Sequence, residues 1–301
     1  MHDSLKEPTS FQKQIDILTE RGLDISDEAY AISVLEHKNY YRLRAYSIEF
    51  EEQKDKFFKG TTFEQIEQLY NFDRLLRALC MQATATIEIS LRTQFAYQSS
   101  HATNSPIPHE NDSLFGGLFK GFESYAEFKK NKIHGMLLSS TERFILHHRY
   151  NYPNFPIIPI WAVVEVITFS TLVSLYNHIN KSIQNRIRNT YKVPSVGILG
   201  NWLHLCCVVR NTCAHHSALW LKSFPNIILP KNKKANKRAS LWEIVLVLYS
   251  LLGHISIKEA AAFKEHIITL IDETNTKLPC INLLAKMGFP NDWKEKFIPY
   301  C

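Results

Sequence analysis

The sequence predicts an all-α protein. Three observations carry this. Apolar residues recur at three- and four-residue steps along most of the 301 residues, only 10 glycines and 12 prolines interrupt them, and capping signals precede several of the apolar runs. At 45% hydrophobic the chain can bury a full core.

Taken in order, residues 9–23 predict a short amphipathic helix, with Phe11, Ile15 and Leu18 at helical spacing and Gly22 as its stop. Asp27 can cap the next helix, which carries Ala31, Val34 and Leu35 and leads to Tyr40-Tyr41. Tyr46, Ile48 and Phe50 alternate with polar residues, which fits a brief extended piece, and residues 51–59 read as a charged connector. Thr61 with Glu64 fits a capping box. It opens a pattern running from Phe63 through Ile87 and Leu91 to Phe95, either one long helix or two broken near residues 81–84. A polar loop over 99–112 follows, then a basic helical stretch over 125–149. Its adjacent His147 and His148 point about 100° apart on a helix, a poor arrangement for holding one metal ion. After Pro153, Pro156 and Pro159 a helix is expected over 160–179. Glu165 falls inside its apolar stretch, where a buried carboxylate needs a cationic partner. A basic helical segment covers 181–192, residues 202–209 read as a buried helix, and further helices are expected over 241–255 and 258–275. Trp293, Phe297 and Tyr300 predict a tail that docks.

The net charge of +6 leans towards a nucleic-acid partner. Six cysteines form no CxxC pair, as expected of core thiols in a reducing compartment rather than a disulfide frame or zinc site. Residues 1–7 lack the apolar core of a signal peptide, and no run approaches the ~20 apolar residues that span a bilayer. A soluble, cytoplasmic protein without a cofactor or structural metal is the expectation.

Chemistry concentrates at the end of the apolar run, in Arg210, Asn211, His215 and His216. On a continuous helix Arg210 and His215 would share a broad face and reach one phosphate. Arginine supplies a permanently charged planar fork for phosphate oxygens, and histidine gives or takes protons near neutral pH. Upstream, Glu88 and Arg92 are four apart. They read either as a surface ion pair or as an inward pair in which Glu88 orients a residue of the motif. Glu165 is a second candidate for that orienting role. Downstream, Lys222, Lys231, Lys233, Lys234, Lys237 and Arg238 form the clearest basic segment, with no acidic residue among them. It is expected to attract phosphates, with a flexible solubilising loop as the alternative.

Several blocks occur together in one order: Leu18-x-x-Arg21-Gly22-Leu23, then Asn39-Tyr40-Tyr41-Arg42-Leu43 with Tyr46, then Leu69-Tyr70-x-Phe72-Asp73-Arg74-x-Leu76-Arg77. Ile87-Glu88-Ile89-x-Leu91-Arg92, Trp161-Ala162-x-x-Glu165 and Arg210-Asn211-x-x-Ala214-His215-His216 with Trp220 complete the series. In this order they resemble the Abi-like (AbiD/AbiF-type) abortive infection proteins of the wider HEPN superfamily. The resemblance implies a HEPN-like helical core over 60–275, with a small N-terminal helical element over 1–59 and a docking tail over 276–301. It further implies a metal-independent endoribonuclease acting as a phage-defence toxin, cleaving RNA by attack of the 2′-hydroxyl. Arg210 and His215 would be catalytic, with Asn211 and His216 beside them and Glu88, Glu165 and Arg92 supporting. A homodimer is expected, since HEPN ribonucleases commonly build one cleft from two motifs, and an RNA or protein antitoxin is a natural partner. The alternative is a non-catalytic module that holds a structured or antitoxin RNA through the same residues. A sequence-specific DNA-binding role is disfavoured, because no helix-turn-helix signature is present.

Overall fold

The computed structural model describes residues 7–230 and 237–301. Its axis is one 41-residue helix, Phe63–Thr103, which at 1.5 Å per residue is about 60 Å long. Among the described residues three α-helices precede it, α1 (Phe11–Glu20), α2 (Glu28–His37) and α3 (Tyr40–Ser47), so the axial helix is α4. After it come the short α5 (Tyr125–Phe128), α6 (Gly135–Ser139) and α7 (Arg143–Asn151), then α8 (Ile160–Val166), α9 (Phe169–His178) and α10 (Lys181–Thr190). The chain closes with α11 (Val196–Ala214), α12 (Leu241–Ile255), α13 (Ile257–Lys277) and α14 (Leu283–Met287). Helices α8, α10, α11, α12 and α13 all pack on α4, which buries Ile66, Leu69, Leu76, Ile87, Leu91 and Phe95 against them. The result is an all-α bundle wrapped around one helix.

The long pattern resolves as a single helix. Thr84, inside the stretch where a break was open, returns its hydroxyl to the Cys80 carbonyl at 2.9 Å and stays in the helix. The capping box lies one residue later than the sequence suggests, between Thr62 and Gln65. Residues 51–59 are more ordered than a connector: β1 (Glu51–Gln53) and β2 (Lys56–Phe57) pair antiparallel, and Arg44 ties Glu51 to Asp55. Tyr46 belongs to α3 rather than to an extended piece. The stretch 125–149 is broken at Ser140, which is extended, and Arg149 satisfies the carbonyls left there at Leu137, Leu138 and Ser140.

A larger correction concerns 160–179. The chain leaves the helix at Ile167, and Thr168 caps a new one by accepting from the Thr171 amide at 3.3 Å. No glycine or proline marks this break, so periodicity runs straight over it. The break leaves Glu165 near the end of a short helix with its side chain exposed, not buried among the apolar residues around it.

Close packing between α9 and α11 depends on Gly200, where a Cβ would sit 2.1 Å from the Asn177 side chain. The tail docks through Trp293 and Phe297, both buried, whose rings meet Trp242 at 6.5 and 5.5 Å. No helix of the described residues is long and apolar enough to cross a membrane.

His109 is fully buried in the loop after α4, and burial pushes its pKa down to about 4. Unfolding releases it to an ordinary value near 6.5, so between these limits the unfolded chain binds more protons. Stability is then full above about pH 6.5 and falls by roughly 3 kcal/mol as pH drops to 4. Denaturant unfolding from pH 7 to 4.5 should show this slope, and His109→Phe should flatten it.

Candidate functional site

Helix α11 runs antiparallel to α4, so Arg210 lies against Glu88 while the chain beyond the helix reaches back to Asp73. Arg210 is about one-third exposed, with its Nε 3.6 Å from Glu88 Oε2 and an Nη donating to Asn211 Oδ1 at 3.1 Å. Glu88 is buried and pairs with Arg92 through its other oxygen. Arg92 in turn donates to the carbonyls of Val164 and, at 2.9 Å, Ile167. These carbonyls are left unpaired where α8 ends, so the helix break that the sequence hides is also what fixes Arg92. Arg92, Glu88 and Arg210 form a chain of charges whose sum is one positive charge, delivered at the exposed edge of α11. Glu165 takes no part in it: its side chain is exposed.

The five-residue spacing does not translate into one uninterrupted helical face. Helix α11 ends at Ala214, and His215 is its cap residue at φ −89°. His216 follows in the left-handed region at φ 55°. Its amide donates to the Cys213 carbonyl at 3.1 Å and the Ser217 amide to Thr212 at 3.0 Å, the paired bonds of a Schellman ending. Glycine is the usual occupant of this position, and a side chain there costs roughly 1 kcal/mol. Both histidines are exposed. Consequently His216→Gly should unfold no more readily than the parent in denaturant, whereas His216→Val should lose stability, because β-branching opposes positive φ.

The turn carrying these histidines is pinned from below. Asp73 is fully buried and accepts from the Leu219 amide at 3.0 Å, the Trp220 amide at 2.9 Å and the Tyr46 hydroxyl at 2.7 Å. Arg77 pairs with the same carboxylate and donates to the Tyr46 oxygen at 3.2 Å. Burial, with the Asp73 carboxylate beside it, pushes the Tyr46 phenol up, so Tyr46 stays a proton donor in this network. From the other side Arg42 donates to the His216 carbonyl at 2.7 Å. Sequence reading did not assign these roles to Arg42, Tyr46, Asp73, Arg77 or Trp220. The only signal was that all five sit in the blocks shared with one family.

Burial pushes the thiols of Cys80, Cys206, Cys207 and Cys213 up, so none is a ready thiolate nucleophile at neutral pH. Cys207 lies next to Asn211, which donates to its sulfur at 3.8 Å.

The basic segment after Trp220 is rooted at the far end of α11. Asn201 donates to the Asn226 carbonyl and accepts from the Ile228 amide, both at 2.9 Å, and Trp202 donates to the Ile228 carbonyl at 3.0 Å. Asn226 also forms a bridge with Arg238. Nine residues of helix separate Asn201 from Arg210, about 13 Å, so adjacency in sequence does not put this root beside the histidines. Lys237 and Arg238 are exposed, Lys237 lies 3.9 Å from Glu243, Arg238 donates to Ser223, and Lys222 is half-buried. Lys231, Lys233 and Lys234 lie outside the described residues.

The fold and the site together define an all-α bundle that brings a cationic cluster and two exposed histidines to one helix end. Residues 33–221 match the model for Abi-like proteins, well over half of the chain, and the protein belongs to that family. Membership implies a part in abortive infection, a defence against phage. No curated protein and no solved structure matches the chain.

Proposed function

We propose that this Abi-like protein is an endoribonuclease toxin of the HEPN type, cleaving RNA without a metal. The supporting observation is the placement of Arg210, which Glu88 and Arg92 hold at the exposed edge of α11, next to the capped turn that presents His215 and His216. In the reaction the RNA 2′-hydroxyl attacks the adjacent phosphorus, and the bond to the 5′-oxygen of the next nucleotide breaks. His215 takes the 2′-hydroxyl proton, Arg210 meets the charge growing on the non-bridging oxygens, and the leaving oxygen takes a proton from His216 or from the motif of a second copy. The products carry a 2′,3′-cyclic phosphate and a 5′-hydroxyl. Asn211, bonded to Arg210, orients the guanidinium. A homodimer supplies two such motifs to one cleft, and an RNA or protein antitoxin would restrain the toxin by covering it.

The exposure of both histidines also suits a second reading, in which the same surface only holds a structured RNA. Incubating the purified chain with total cellular RNA in EDTA separates the two. The ribonuclease reading expects cut RNA and intact DNA. A gel shift without cleavage would favour the RNA-holding module.

A further inference from the structure

Beside the His216 turn lies a groove of about 790 Å³ formed by the N-terminal element, α4 and the end of α11. Its polar lining is cationic or neutral: Arg42, Arg74 and Arg77, with His37, His216 and Tyr70, and no carboxylate among the residues that line it. Arg77 is neutralised by Asp73 beneath it. Arg42 and Arg74 are exposed, and among the described residues neither has an ion-pair partner; Arg42 bonds the His216 carbonyl and Arg74 the Asn71 side chain. Two unneutralised guanidinium groups on an open concave surface attract phosphate. A volume of this order holds a drug-sized ligand, so it fits a short run of one strand and not a duplex.

The groove is also aligned with the charge cluster. Tyr70, Arg74, Arg77, Met81, Glu88 and Arg92 follow one another along α4 at steps of four, three, four, seven and four residues, a single stripe of the helix. From Met81, at the groove's end, to Glu88, which holds Arg210, is about 10 Å along the helix. We propose that a single RNA strand lies in this groove with phosphates on Arg74 and Arg42, and passes His216 to place its next phosphates at Arg210. This rests on the ribonuclease reading for the identity of the strand, while the groove's affinity for a single strand is testable without cleavage.

The probe is a fluorescent 12-nucleotide 2′-O-methyl RNA, which has no free 2′-hydroxyl to attack. Its anisotropy is followed across a salt series with the full-length His215→Ala protein, with and without Arg74→Gln, Arg42→Gln, or both. Each lost phosphate contact lowers the slope of log affinity against log salt by about 0.7, which is about fivefold in affinity at 0.1 M salt. The double variant should therefore bind about 25-fold more weakly, with Arg74→Lys keeping the parent slope. Lys258→Gln, exposed on α13, is the control for general charge loss and should bind nearly as the parent does. Because Arg42 also holds the His216 carbonyl, the Arg74 variants are decisive if Arg42→Gln proves less stable. Single-stranded DNA should bind comparably, since phosphate contacts ignore the sugar. Binding within twofold of the parent at unchanged slope by the double variant would overturn the groove, as would no binding by the His215→Ala protein, or preference for a duplex. Failure of the parent to cut RNA in EDTA, with groove binding intact, would instead overturn the ribonuclease reading alone.

Discussion

Arg210→Ala is expected to cut RNA at least a hundredfold more slowly than the parent, and to remove toxicity, while folding normally. The size follows from losing the group proposed to meet the charge growing on the scissile phosphate, a role worth about 10²–10³ in rate where comparable donors have been removed. The fold should be spared because the side chain is partly exposed and its contact with Glu88, at 3.6 Å, is long for an ion pair. Such a pair is worth about 0–1 kcal/mol. Glu88 keeps Arg92 as its partner. His215→Ala should behave alike, since that side chain is exposed at the helix end. Arg92→Ala should differ, because it leaves the buried Glu88 carboxylate with only its long contact to Arg210 and frees the α8 carbonyls, losing stability together with activity. Measured together, unfolding midpoints and cleavage rates assign each residue: loss of rate at parental stability marks the chemistry, and joint loss marks the scaffold. A stably folded His215→Ala protein that remains fully toxic would remove the catalytic assignment of that histidine.

Asp73→Ala is expected to be the most destabilising single change near the site. It leaves Arg77 buried without its partner and strips acceptors from Tyr46 and from the amides of Leu219 and Trp220. Breaking a buried pair from one side costs about 3–5 kcal/mol, a large share of the roughly 5–15 kcal/mol that holds a domain folded. Replacing both partners, Asp73→Leu with Arg77→Met, should cost less than Asp73→Ala alone, because no charge is then left buried. If the double replacement is as unstable as the single one, the network matters for shape rather than for charge. Denaturant unfolding of the three proteins decides this, and the turn carrying His215 and His216 should loosen in step with stability.

Local pattern reveals some of this architecture and conceals the rest for identifiable reasons. The helical class and the placement of α4 and of the motif helix follow from three- and four-residue periodicity, a property of each segment alone, whereas that periodicity left open whether α4 was one helix or two and stopped short of its end at Thr103. The break at Ile167–Thr168 was invisible because its signal is a threonine cap between two apolar runs, with no glycine or proline. That single omission misplaced Glu165 and hid what Arg92 does. The Asp73 network was out of reach for a different reason. Its bonds join residues 27 and 146 apart in sequence, and no local rule registers such a pairing. Glu88 sat between two readings, a surface pair with Arg92 or an inward carboxylate facing the motif. It makes both contacts and is buried, which four-residue spacing alone does not reveal. The Schellman ending was likewise concealed, since histidine stands where glycine would have announced it.

The central claim is that Arg210 and His215 cleave RNA through its own 2′-hydroxyl. It is tested most directly by mapping the ends of RNA cut by the purified protein in EDTA, beside Arg210→Ala prepared identically. The account predicts 2′,3′-cyclic phosphate and 5′-hydroxyl ends from the parent, and no products from Arg210→Ala above the no-enzyme level. Ends bearing a 3′-hydroxyl and a 5′-phosphate, or equal cutting by the Arg210→Ala preparation, would contradict it.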